Sequence, residues 1–294
     1  MRPTGIAIAL AGALVATTTL AGARQDTFEY AEIVVPGAVF TNAQGINAAG
    51  DVVGFYRDAA ARVRGFLWSR GEVTIIEYPD AVVTQARGIS PDGEIVGAYR
   101  MAGEPAVNFH GYLRRRDGTF SRVDYPGHTN TIAQRILPDG TILGCRHDHD
   151  MMDTMRGVAI MPDGSTSETD AFGSMHNGAT PNGTMITGLF ANMMTNRSES
   201  YVIKNGEFSE FVVPGSTSTS AWDANARGEI AGVYRDPSGR FHGFVRDGDR
   251  YLSVDVPAAT ATRVFGINAG GDVVGAFVDS AGRTRAFIGT RTTR

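Results

Sequence analysis

The stretch Gly45-Ile46-Asn47-Ala48-Ala49-Gly50-Asp51-Val52-Val53-Gly54-Phe55-Tyr56-Arg57-Asp58 decides the fold, because the rest of the chain rewrites it. It returns almost verbatim over Gly266–Gly275 and as Gly88-Ile89-Ser90-Pro91-Asp92-Gly93-Glu94-Ile95-Val96-Gly97, and weaker copies end at Gly144, Gly188 and Gly232. The closing glycines stand 43 to 47 residues apart, the period of a propeller blade. Within one period the pattern is strand-like throughout. In the second copy Thr84–Ile89 alternates, Pro91-Asp92-Gly93 turns, and Glu94–Tyr99 is a β-branched run. His110-Gly111-Tyr112-Leu113 then opens a third strand, Asp117-Gly118 turns it, and Thr119–Tyr125 makes a fourth. No stretch carries the period of an amphipathic helix.

Six such copies predict an all-β fold: a six-bladed β-propeller of four-stranded antiparallel blades. The last copy ends at Arg294 without a fourth strand, and Tyr30–Pro36 near the start is a spare one. Pairing the two would close the ring by the N-terminal strand and remove both free edges. Two residues before the first-strand glycine position stand Ala43, Ala86, Ala133, His176, Ala221 and Val264. Small residues are expected where blades converge, so His176 is the exception. Four residues before it stand Thr41, Thr84, Thr131, Ser174, Thr219 and Thr262, which suit either a channel lining or hydrogen bonds to the connecting turns.

Residues 1–23 read as a signal peptide, with Arg2, an apolar run from Ile6 to Leu20 and Ala21-Gly22-Ala23. The remainder, 24–294, is expected to be one secreted or periplasmic domain and a monomer. A net charge of −4 with 20% charged residues suggests neither nucleic acid nor membrane insertion. Cys145 is the sole cysteine, so packing must hold the fold.

The phrase Gly45–Gly54 and Gly266–Gly275, followed by His110-Gly111-Tyr112, His242-Gly243-Phe244 and Arg285-Ala286-Phe287, resembles the HAF-repeat (probable extracellular repeat) family. The resemblance runs over residues 28–294 and implies an exported, propeller-like protein.

All six histidines fall in or beside the strand-two-to-three loops and the blade connections, hence on one face of the disc. The longest of those loops belong to copies two to four, and eight of the ten methionines lie between 151 and 194. That face is the expected site. His110 and His242 recur before Gly-aromatic and read as structural bridges between loop and strand. His147 and His149 are two apart, which points both the same way on an extended chain. With His128 or His176 and a carboxylate they would suit zinc, and with Met151, Met152 or Met155 a softer ion such as copper. Metal-free acid–base chemistry by His147, His149, His176 and Asp150 in a lyase, isomerase or hydrolase is the enzymatic alternative. A small-molecule or carbohydrate pocket formed by His128, Met151, Met152, Met155, Met175, Trp222 and Arg146 is the non-catalytic one, and it stands slightly ahead because no catalytic spacing here is specific.

Overall fold

The structure is a computed structural model that describes residues 26–148 and 154–293. The expected leader, residues 1–23, and His149, Asp150, Met151 and Met152 lie outside the described residues. Among the described residues the elements are 24 β-strands. The chain opens with β1 (Asp26–Ile33). The first meander is β2 (Ala38–Ile46), β3 (Val52–Asp58), β4 (Val63–Ser69) and β5 (Glu72–Ile76). The second is β6 (Ala81–Ile89), β7 (Ile95–Met101), β8 (His110–Arg114) and β9 (Phe120–Val123). The third is β10 (Asn130–Ile136), β11 (Ile142–His147), β12 (Arg156–Ile160) and β13 (Thr166–Glu168). The fourth is β14 (Met175–Ala179), β15 (Met185–Asn192), β16 (Arg197–Lys204) and β17 (Glu207–Phe211). The fifth is β18 (Ser218–Ala224), β19 (Ile230–Arg235), β20 (Phe241–Asp247) and β21 (Arg250–Val254). The last has only β22 (Ala261–Ile267), β23 (Val273–Val278) and β24 (Thr284–Thr293), and takes β1 as its fourth strand.

Each meander is antiparallel, and a single parallel pair, Val63 with Val83, links the first to the second. β1 pairs β24 from Asp26↔Thr293 to Ile33↔Ala286, so the pairing starts ahead of the Tyr30–Pro36 segment expected for it. Apolar side chains of each meander pack with one another and with those of the next. Val53 of the first sits with Ala86, Ile95, Tyr99 and Tyr112 of the second. Val274 and Ala286 of the last sit with Ala43, Val52, Tyr56 and Phe66 of the first.

The repeated phrase now has a physical reading. Asn47 Oδ1 accepts from the backbone N–H of Ala49 (3.0 Å) and Asp51 (2.9 Å), and its Nδ2 donates to Asp51 Oδ2, which fixes the turn between first and second strands. Asn268 and Asp272 repeat the arrangement. The closing glycine of the phrase is a matter of space. A Cβ on Gly54 would lie 2.1 Å from Asn42 O and 2.7 Å from the Phe66 ring, so its absence lets the third-strand aromatic cross the blade. Tyr112, Tyr201, Phe244 and Phe287 use the equivalent glycines, whereas Gly144 faces Val158.

The Thr/Ser positions bind meander to meander rather than lining the axis. Thr84 accepts from Tyr78 N, Thr131 from Tyr125 N, Thr219 from Val213 N and Thr262 from Val256 N, at 2.8–3.0 Å. Ser174 takes Gly157 N at 2.9 Å, and Thr41 takes Ala286 N at 2.8 Å across 245 residues of sequence.

Candidate functional site: the axis of the inner strands

Every first strand carries a bulge at the same place. The register shifts around Gln44, Arg87, Gln134, Asn177, Trp222 and Phe265, one residue before the glycine position of the repeat. A bulge puts one residue out of step with the two-residue alternation, so consecutive side chains can both face the axis. The next residues are Gly45, Gly88, Arg135, Gly178, Asp223 and Gly266: four glycines, one cation and one anion.

Arg135 and Asp223 fill what the glycines leave open. Arg135 Nε donates to Asp223 Oδ1 and its Nη2 lies 3.0 Å from Oδ2. Nη1 donates to Gln44 O and Arg87 O, and Nη2 to Phe265 O at 2.7 Å. One guanidinium thereby ties the first strands of five meanders. Asp223 also accepts from Ile267 N and Ala224 N. Burial pushes its carboxyl upward, against the pull of Arg135. A Cβ on Gly45 would stand 2.8 Å from Arg87 O and 2.9 Å from Arg135 Nη1, which is why glycine recurs beside the pair. All donors of the guanidinium and both carboxylate oxygens are engaged, so the pair is a plug with nothing left for a ligand.

On the turn side of the plug lies a cavity of about 110 Å³, to which each copy contributes: Asn47, Pro91, Pro138, Pro181, Asn225 and Asn268 are on its wall. The asparagine side chains there are spent on their turns. On the connection side, one residue earlier in each strand, the polar groups are not spent. Gln44 Oε1, Arg87 Nε, Gln134 Nε2 and Asn177 Oδ1 are buried with no hydrogen-bond partner among the described residues. Gln44, Gln134 and Asn177 are 3%, 0% and 0% exposed. Their other ends are held: Gln44 Nε2 by Asn42 Oδ1, Gln134 Oε1 by Arg87 Nη1, and Asn177 Nδ2 by Ala221 O. Flipping the Gln134 or Asn177 amide would set donor against donor at Arg87 Nη1 or oxygen against oxygen at Ala221 O, so both orientations are fixed by their partners. Arg87 Nη2 donates to Gln85 Oε1. Burial brings the Arg87 guanidinium down to about 10. Trp222 and Phe265 complete the ring as an edge-to-face pair at 4.9 Å. Arg87, Trp222, Gln85, Asn42 and Ser220 are partly exposed although they sit on innermost strands.

The residues singled out from sequence are scattered around this axis. Trp222 lies in the ring itself. Met155 is buried against Ala98, Ile132 and Cys145, with Met175 packed on the same cluster. Arg146 is engaged with Glu168 and with Thr154 O. His128 Nδ1 meets Asp148 Oδ2 at 3.0 Å. His147 is 0% exposed, with Nε2 3.3 Å from Val107 O and Nδ1 unpartnered. Burial holds its pKa below the usual imidazole range. His176 is 4% exposed. Its Nδ1 is 2.5 Å from the Tyr201 hydroxyl, which itself donates to Met175 O. An imidazole fits at this small-residue position because Gly157 has no Cβ, which would stand 2.7 Å from Nδ1. Among the described residues no three His, Cys, Asp or Glu side chains are grouped to hold a metal ion. His110 is clasped by Glu104 and Asp124, and His242 by Asp236 and Asp255, the bridge of loop to strand expected for them.

The residues missed are those of the axis. The repeat alignment held the signal, since Arg135 and Asp223 are the copies that break the glycine column.

No protein-family model and no curated protein matches this chain. Among solved structures it is similar to TolB from Acinetobacter baumannii (TM-score 0.58, 14% identity), with 82% of this chain and 64% of TolB aligned, so the chain spans less than two thirds of that protein. It is also similar to the β-propeller domain of the Trilobed protease from Pyrococcus furiosus (TM-score 0.53, 12% identity; 87% and 96% covered). The Aleuria aurantia lectin solved with Fucα1-6GlcNAc matches at TM-score 0.52 and 9% identity, with 85% and 94% covered. At these identities the likeness speaks for the fold alone: the chain has a β-propeller fold.

Proposed function

We propose that this chain is an exported six-bladed β-propeller, closed by its N-terminal strand, which binds a small molecule or glycan in the axial well on the face of the blade connections. Closure is supported by the β1–β24 pairing, by the Thr41–Ala286 bond and by the core that joins the last meander to the first. Export rests on the sequence of residues 1–23. The observation that carries binding is the set of partly exposed polar and aromatic side chains on the innermost strands, Asn42, Gln85, Arg87, Ser220 and Trp222. Side chains of this kind, offered together at the axis of a propeller, suit a small polar molecule with an apolar face. Binding is favoured over proton-transfer catalysis because His147 and His176 are both closed off from solvent.

Trp222 makes the test simple. With the other tryptophan removed (Trp68→Phe), a panel of monosaccharides, fucosylated disaccharides, sugar acids and amino acids is titrated while tryptophan emission is recorded. A saturable change with one class of compound is the expected result. No change with any class, together with no shift in thermal unfolding, would contradict the reading.

A further inference from the structure

On the turn side of the plug the axis carries a ring of backbone acceptors. Ile46, Ile89, Ile136, Ala179, Ala224 and Ile267, one from each first strand, all wall the cavity of about 110 Å³. In every copy the next residue sends its backbone N–H toward the second strand. Asn47 donates to Asp51 O, Ser90 to Glu94 O, Leu137 to Thr141 O, Thr180 to Met185 O, Asn225 to Glu229 O and Asn268 to Asp272 O, at 2.8–3.0 Å. A planar trans peptide points its C=O opposite to its N–H. The six preceding carbonyls are therefore turned away from their own blades, toward the axis. No donor of the described residues is placed on any of them.

The alternation of an antiparallel pair turns the N–H groups of the same six residues inward as well. Those of Ala224 and Ile267 are taken by Asp223, which leaves four donors against six acceptors. The surplus asks for a ligand that donates. The layer beneath shows which donor suits inner-strand carbonyls, since the Arg135 guanidinium takes Gln44 O, Arg87 O and Phe265 O. Arg135 alone would repel a second cation, but Asp223, 3.0 Å away, cancels its charge. A cavity of this volume has room for about three water molecules or one ion of guanidinium size.

We propose that the turn-side cavity binds a small organic cation bearing N–H donors, a guanidinium or primary ammonium group, held by the carbonyls of these six residues. The converging negative ends of the carbonyl dipoles favour the charge, and charge-assisted bonds supply the affinity. The site lies across the plug from Trp222 and does not depend on binding there.

The experiment follows the backbone amide signals of ¹⁵N-labelled protein by NMR during titration with guanidinium chloride, urea, tetramethylammonium chloride and sodium chloride, all well below denaturing concentrations. Urea has the shape and the donors without the charge, and tetramethylammonium has the charge without the donors. Guanidinium is expected to give saturable shifts confined to the six wall residues and the residues that follow them. Urea and tetramethylammonium should be weaker by at least about tenfold, and sodium chloride should reproduce none of the shifts. Ala269, exposed at the mouth, provides the control: Ala269→Trp should cap the cavity and abolish the shifts while leaving the thermal transition unchanged. Absence of saturable shifts at the wall residues, equal binding of urea, or undiminished binding in Ala269→Trp would overturn the proposal.

Discussion

Two layers of the axis, one residue apart along the same strands, treat buried polar groups in opposite ways. In one, Arg135 and Asp223 engage each other, three backbone carbonyls and two backbone N–H groups, and every polar atom is satisfied. In the other, four polar atoms have no partner. The same fold can evidently satisfy buried polarity here, since it does so one step along the strand. The contrast assigns holding the blades together to the first layer; the second holds its strands less completely.

The largest effect should come from splitting the plug. Asp223→Leu leaves the Arg135 guanidinium buried without its carboxylate and is expected to cost about 3–5 kcal/mol in urea unfolding. Arg135→Met/Asp223→Leu removes both charges together and should recover most of that loss. A double variant as unstable as the single one would show that the carbonyl contacts of Arg135, rather than the ion pair, hold the layer.

His176 tests where the sealed region ends, because it precedes Asn177 on β14 but faces Gly157 and Tyr201 instead of the axis. Burial depresses its pKa from 6.5 to about 4. The folded protein therefore holds the neutral ring. That contribution is complete above pH 6.5 and is lost as the pH falls from 6.5 to about 4, amounting to about 3 kcal/mol. His176→Gln should flatten this part of the stability profile measured by denaturant midpoint. An unchanged profile would mean that the imidazole meets solvent.

The smallest effect is expected at the unsatisfied layer. Gln44→Met gives up one bond to Asn42 but also removes an unpartnered buried oxygen, so its cost should stay within about 1 kcal/mol. A penalty like that of Asp223→Leu would mean that the carboxamide is structural and the two layers are alike.

How much of this could be read beforehand depends on what repeats. The blade period, the glycines that admit Phe66 or Tyr112 and the asparagines that cap turns recur because every copy meets the same geometry, so the sequence displays them. The spare N-terminal strand was visible for the same reason, with its pairing displaced toward Asp26. The site was harder. Histidines and methionines attract attention by their chemistry, yet what they do here depends on which way each points. A bulge at the same place in every inner strand shifts that direction by one residue, and nothing in a two-residue alternation reveals a bulge. Gln44, Gln134 and Asn177 are unremarkable as residue types and matter only because the bulge and the converging strands bury them on the axis. Met155, by the same logic, looked like a loop residue and lies in a core cluster.

The most direct test of binding at the axis records the emission of Trp222 in the Trp68→Phe protein, together with its thermal unfolding, during titration with sugars, sugar acids and amino acids. The account predicts a saturable emission change and a raised unfolding transition with one class of compound. No change in either quantity with any class would contradict it.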